Sequence, residues 1–121
     1  MLFAGSRQDV ADVLAAMDIF FLPTRAEPFG LVIIEAMPCG TPVIAYRGGA
    51  VPEVIEQGHT GFVVEGLQEA VDAVRRVSDL SRKRCRGAFE KRFTTTRMAH
   101  DYVQIFERLI SRNEEKVLEA A

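Results

Sequence analysis

Residues 27–46 read EPFGLVIIEAMPCGTPVIAY, and this stretch decides the fold because it passes from loop to helix to strand with a clear stop between them. Its apolar run predicts a helix over Phe29–Met37, ended by Pro38 and Gly40. Pro42–Tyr46 then reads as a buried strand. Just upstream, Asp18–Leu22, DIFFL, is a short continuous apolar run closed by Pro23, the pattern of a strand covered on both faces in a parallel sheet. Residues 18–46 are therefore expected to form one βαβ unit.

Working outward, the same alternation continues. Leu2 and Phe3 read as the end of a short strand. Ser6, with Asp9 three residues on, is placed to cap a helix carrying Val10, Val13, Leu14 and Met17. Downstream, Gly48 and Gly49 mark a loop, and Val51–Glu56 a short helix with Pro52 near its start, where a missing N–H costs nothing. Gly61–Val64 is expected as a further strand. Leu67, Ala70, Val71, Val74 and Val77 repeat at helical spacing, a helix follows over about Ser81–Lys91, and Met98, Tyr102, Phe106 and Leu109 define a long last helix from near Thr95. The predicted fold is α/β with a parallel sheet of about four strands, as a single partial domain over 1–121 with C-terminal helices from about residue 67.

The composition suits one soluble globular domain: 121 residues, 48% hydrophobic, 15 Lys+Arg against 17 Asp+Glu, and a formal net charge of −2. Basic residues are scattered rather than gathered into the stripe a nucleic-acid binder needs, so DNA and RNA are not expected partners. IFFL and LVII fall far short of the roughly 20 residues of a membrane-spanning helix. Cys39 and Cys85 form no CxxC pair, so free thiols in the cytoplasm are expected. The N-terminal MLFAGSRQDV has no signal-peptide pattern. No cluster suggests a resident metal.

The chemistry concentrates around Glu27 and Glu35, eight positions apart. In parallel sheets ligands bind at the carboxyl ends of strands, where Thr24–Gly30 follows DIFFL. The expected helix aims its N-terminus at the same crevice, which favours a phosphate, and Gly30 permits close approach. Glu35 lies roughly 7 Å beyond Gly30 along the axis, so the two carboxylates flank the phosphate position. Carboxylates accept hydrogen bonds, and hydroxyls on both sides of a diphosphate describe a nucleoside diphosphate sugar. With Leu31, Val32, Ile33, Ile34, Ala36 and Met37 around it, Glu35 is expected to be buried and to need a partner.

Other residues carry plainer readings. Gly48 and Gly49 stand either as a simple turn or as a loop closing around the sugar. Glu53 supports the first turn of its short helix. Cys39 reads as a small buried apolar residue rather than a nucleophile, and His59 and His100 as surface residues. Arg82, Lys83, Arg84 and Arg86 form the solvated face of a helix, with contact to an acidic membrane surface or to a further domain as the alternative.

The segments EPFGLVIIEAMPCGTPVIA and GGAVPEVIEQGHTGFVV resemble the donor-binding half of retaining glycosyltransferases of the large group 1 family. The match rests on the E-x7-E pattern of Glu27 and Glu35, with Phe29, Gly30, Ala36, Gly40, Pro42 and Val43, then Gly48, Gly49, Pro52 and Glu53. The resemblance implies a Rossmann-like, GT-B type donor domain, present here as its second half. It implies that Glu27 lies near the transferred sugar with a catalytic role, that Glu35 bonds the ribose hydroxyls, and that Gly30 and Leu31 lend N–H groups to the diphosphate; Phe29 belongs to the same donor-binding set. It further implies no metal or other cofactor. Relative to the family, the acceptor domain and the upstream strands, with their Arg and Lys for the diphosphate, are missing, and neither Arg25 nor Arg47 takes their place.

The first expectation is thus the donor-binding part of a glycosyltransferase, inactive alone and completed by an acceptor domain or a partner chain. The alternatives are a non-catalytic nucleotide-binding module and a half-domain that self-associates through an open sheet edge near Phe3.

Overall fold

The computed structural model describes residues 2–120, with side chains described through Glu114. Its elements, in order, are α1 (Val10–Ala16), β1 (Phe20–Leu22), α2 (Leu31–Ala36), β2 (Val43–Tyr46), α3 (Val51–Val54), β3 (Gly61–Val64), α4 (Leu67–Arg76), a 3-10 turn (Val77–Asp79), α5 (Arg82–Arg92) and α6 (Thr95–Ala120). The chain falls into two compact units, one ending at Glu90 and the other beginning at Lys91.

The first unit is a three-stranded parallel sheet in the order β1-β2-β3. Phe21 pairs with Ile44 and Ile44 with Phe62. β2 and β3 are buried almost throughout, as expected of strands covered on both faces. On one face Ile44, Phe62 and Val64 pack against Ala70 and Ala73 of α4. Two alanines at that contact let the helix come close, and the bulkier Leu67, Val71 and Val74 turn outward and stay exposed. The helical repeat of Leu67, Ala70, Val71, Val74 and Val77 is thus divided between core and solvent. Ala73, outside that repeat, is buried with Ala70 against the sheet.

Three further expectations are corrected. Leu2 and Phe3 form no strand and are 92% and 85% exposed, since no neighbouring strand offers them a ladder; the sheet has three strands rather than about four. α1 begins at Val10 rather than after Ser6: Asp9 is its N-cap without a side-chain cap bond, its carboxylate being paired with Arg7 instead. β1 is not covered on both faces. It is an edge strand of intermediate burial with Phe21 exposed.

β3 is the other edge, covered by the chain's own 57–58 segment: Gly58 N–H donates to Gly61 C=O at 2.9 Å, and a side chain covers Val63. The Gln57 amide accepts from Val63 N–H at 2.7 Å through Oε1 and donates to Val63 C=O at 3.4 Å through Nε2, pairing as a neighbouring peptide would. The second unit begins in the last residues of α5 and holds α6, whose first turn is capped by Thr94 Oγ1 accepting from Arg97 N–H at 3.3 Å. Met98, Tyr102, Phe106 and Leu109 repeat along α6 as expected and are exposed. Among the described residues no helix is long and apolar enough to cross a membrane.

Candidate donor site

The site is built on two loops at the carboxyl ends of β1 and β2. After β1 the chain turns through Thr24, whose hydroxyl accepts from Ala26 N–H at 3.2 Å. After β2 it runs through Arg47–Ala50. The two loops lock backbone to backbone: Ala50 N–H donates to Glu27 C=O at 3.0 Å. Gly49 sits at φ +50° where a Cβ would lie 2.0 Å from that same Glu27 oxygen, so any side chain there would drive the loops apart. Of the two readings left open for Gly48 and Gly49, close loop packing is therefore already a sufficient reason for glycine.

Glu27 is half-buried, and its Oε1 accepts from Gly30 N–H at 2.8 Å. This carboxylate closes the turn that launches α2. Gly30 is the N-cap residue of α2, buried and left-handed at φ +80°, and a Cβ there would meet Val54 at 3.2 Å. Its C=O accepts from Ile33 and Ile34 N–H, each at 3.0 Å. The helix is thus shorter than expected at both ends, Leu31–Ala36 rather than Phe29–Met37, because the left-handed Gly30 breaks helical geometry before Leu31. Phe29 and Leu31 project outward, 71% and 58% exposed.

Glu35 corrects the sequence reading most directly: it is exposed, not buried. Ile33, Ala36 and Met37 face the core, while Leu31, Val32 and Glu35 share the opposite face. The apolar neighbours in sequence are divided between the two faces, so the carboxylate meets water. Among the described residues it has no hydrogen-bond partner. Leu31 and Glu35, four residues apart, are therefore adjacent and accessible on one face, with the Glu27–Gly30 turn at its head.

The remaining candidates fall outside this constellation. Arg25 lies with its guanidinium 5.4 Å from the Tyr46 ring centre, and Arg47 is paired with Glu65. His59 and His100 are exposed. Cys39 is half-buried and donates weakly to Ala11 C=O at 3.5 Å; Cys85 is buried, and burial pushes its thiol pKa up. The basic run is not simply solvated. Arg82 and Arg86 both reach backbone carbonyls, Arg86 donating to Pro38 C=O at 3.4 Å, a role that a run of basic letters does not signal.

Known proteins resemble this chain over most of its length. The family model described as "Glycosyl transferases group 1" matches residues 1–80. N-acetyl-alpha-D-glucosaminyl L-malate synthase of Bacillus anthracis is 34% identical over 114 residues, 88% of this chain and 30% of the synthase. Anabaena HepE in complex with UDP superposes with a TM-score of 0.71 at 31% identity, over 87% of this chain and 30% of HepE. The HepE complex with UDP-glucose gives 0.67 at 30% identity over the same shares of both chains. The chain thus spans about 30% of the length of these proteins. With the α/β fold of GT-B glycosyltransferases and a family match across its whole sheet, this chain belongs to the group 1 glycosyl transferases.

Proposed function

We propose that the Glu27–Glu35 segment is the donor-binding element of a retaining glycosyltransferase that takes a nucleoside diphosphate sugar. The observation that carries this reading is the exposure of Glu35 beside Leu31, on the helix face that begins at the Glu27–Gly30 turn. An accessible carboxylate free of protein partners suits the ribose diol, which supplies two O–H donors. Solved relatives carrying UDP and UDP-glucose support that ligand class.

In this reading Glu35 holds the ribose, and Gly30 and Leu31 turn N–H groups toward the diphosphate. Phe29 walls the same mouth. Glu27, the catalytic-side residue, addresses the transferred sugar. Its present bond to Gly30 N–H gives the step a physical form: one N–H cannot serve both the carboxylate and a phosphate oxygen fully, and like charges repel. The incoming diphosphate therefore displaces Glu27 from Gly30 and frees it for a sugar hydroxyl. Leaving-group charge is neutralised by N–H dipoles and basic side chains, with no metal or other cofactor.

Acceptor binding and autonomous turnover are assigned to the part of the relatives that this chain does not match, supplied in the same polypeptide or by a partner chain. The cytoplasm is the proposed location, peripheral membrane contact the alternative. Titration of the chain with UDP-glucose, followed by amide NMR, tests the reading: Glu35→Gln should weaken affinity about tenfold, the scale of a lost charge-assisted hydrogen bond. Unchanged affinity would sink it. Binding that persists without transfer, even beside an acceptor domain, would favour the non-catalytic module instead. A second reading, self-association, has its own observation: the outer edge of β1 has no strand partner among the described residues. Light scattering reads it directly, and a monodisperse monomer counts against it.

A further inference from the structure

Arg82, at the start of α5, reaches across the molecule to the far ends of two other helices. Its Nη2 donates to Ala15 C=O at 2.7 Å and its Nη1 to Met17 C=O at 2.8 Å, at the end of α1. The same Nη2 lies 3.3 Å from Cys39 C=O, in the turn that ends α2, and 3.3 Å from Thr41 Oγ1. Thr41, fully buried, donates in turn to Leu14 C=O at 2.6 Å. One planar fork therefore ties the carboxyl ends of α1 and α2 to α5, a geometry that a lysine ammonium cannot reproduce.

The anchored helix is short. α2 has six residues, about 9 Å, and too few turns to hold its own position. Its head is set by Gly30, and its tail by Thr41 N–H donating to Ala36 C=O at 3.1 Å and Gly40 N–H to Met37 C=O at 2.9 Å. That tail turn is the one Arg82 grips, and Gly40 lies directly against the Arg82 backbone, where an added Cβ would meet its carbonyl oxygen at 3.0 Å. Glu35 is in the last turn of α2, and its C=O accepts from Cys39 Sγ at 3.6 Å. The guanidinium thus fixes the end of the helix nearest Glu35.

We propose that Arg82 is a positioning residue for donor binding, setting the axial position of α2 and with it the reach of Glu35 toward the ribose. The inference rests on the donor reading of Glu35 given above. It assigns Arg82 no contact with the ligand.

The test is a double-mutant cycle on the 121-residue chain, with UDP-glucose affinity read from amide shifts. Arg82→Gln should weaken binding by up to about tenfold, the scale of the one charge-assisted hydrogen bond it positions, while the amide spectrum stays that of a folded sheet. Combined with Glu35→Gln it should add nothing to the loss from Glu35→Gln alone, because both changes remove one interaction. Arg82→Lys, which keeps charge without the fork, should fall between wild type and Arg82→Gln, and serves alone if Arg82→Gln does not fold. Additive losses would make Arg82 a general structural residue and overturn the proposal, as would an Arg82 variant that binds like wild type. If Glu35→Gln binds normally, or wild-type resonances do not respond to UDP-glucose, the donor reading itself fails and takes this inference with it.

Discussion

β1 and β3 flank the same central strand, in parallel, and end in opposite conditions. β3 is buried along its whole length, covered by α4, and its outer edge is covered by the 57–58 segment, the Gln57 amide included. β1 is one residue shorter, has Phe21 43% exposed, and has no strand partner on its outer side among the described residues. Yet β1, not β3, leads into the Glu27 loop. In open α/β sheets ligands gather where the strand order reverses. Here the order β1-β2-β3 runs one way only, so the candidate site stands at the edge where a reversal can occur rather than at the edge the 57–58 segment covers. The edge without a strand partner among the described residues and the candidate site thus lie on the same side of the sheet.

The comparison can be broken most forcefully at the two phenylalanines that share a sheet face. Phe62→Ala, which empties a buried position under α4, should cost about 3–5 kcal/mol in chemical denaturation. A loss below about 1 kcal/mol would mean that β3 is no better packed than β1. Gln57→Ala should cost about 1–2 kcal/mol through its two bonds to Val63, with faster hydrogen exchange at Val63 N–H and concentration-dependent association in light scattering. If exchange at Val63 is unaltered, the edge is not held by this amide. Phe21→Ala should be the mildest, under about 1 kcal/mol, since much of that ring already meets water. Equal losses at Phe21 and Phe62 would erase the distinction between the edges.

Much of this was legible from local pattern. The stops at Pro38 and Gly40, the apolar run before Tyr46 and the Gly61–Val64 strand are short-range signals, and each element formed close to its expected place. What failed shares one cause. Leu2 and Phe3 carry strand-like residues, but a strand exists only against a partner. DIFFL reads as doubly covered, but coverage is supplied by elements far away in sequence. Glu35 sits among apolar letters, but which face of a short helix meets the core is settled by rotation, and Gly30 sets where that rotation starts. The basic run hid Arg82 because carbonyls that complete their bonding to a guanidinium belong to residues 15, 17 and 39, which no spacing rule connects to it.

The sequence by itself determined the α/β alternation, the family and the pair of glutamates, because turn chemistry, apolar periodicity and motif spacing act over a few residues. Only the tertiary structure decided that Glu35 faces water, that Glu27 rests on Gly30 N–H, and which edge of the sheet is closed. Those outcomes depend on long-range packing and on hydrogen bonds between distant segments, where a side chain's surroundings are fixed by the whole fold rather than by its neighbours in the chain.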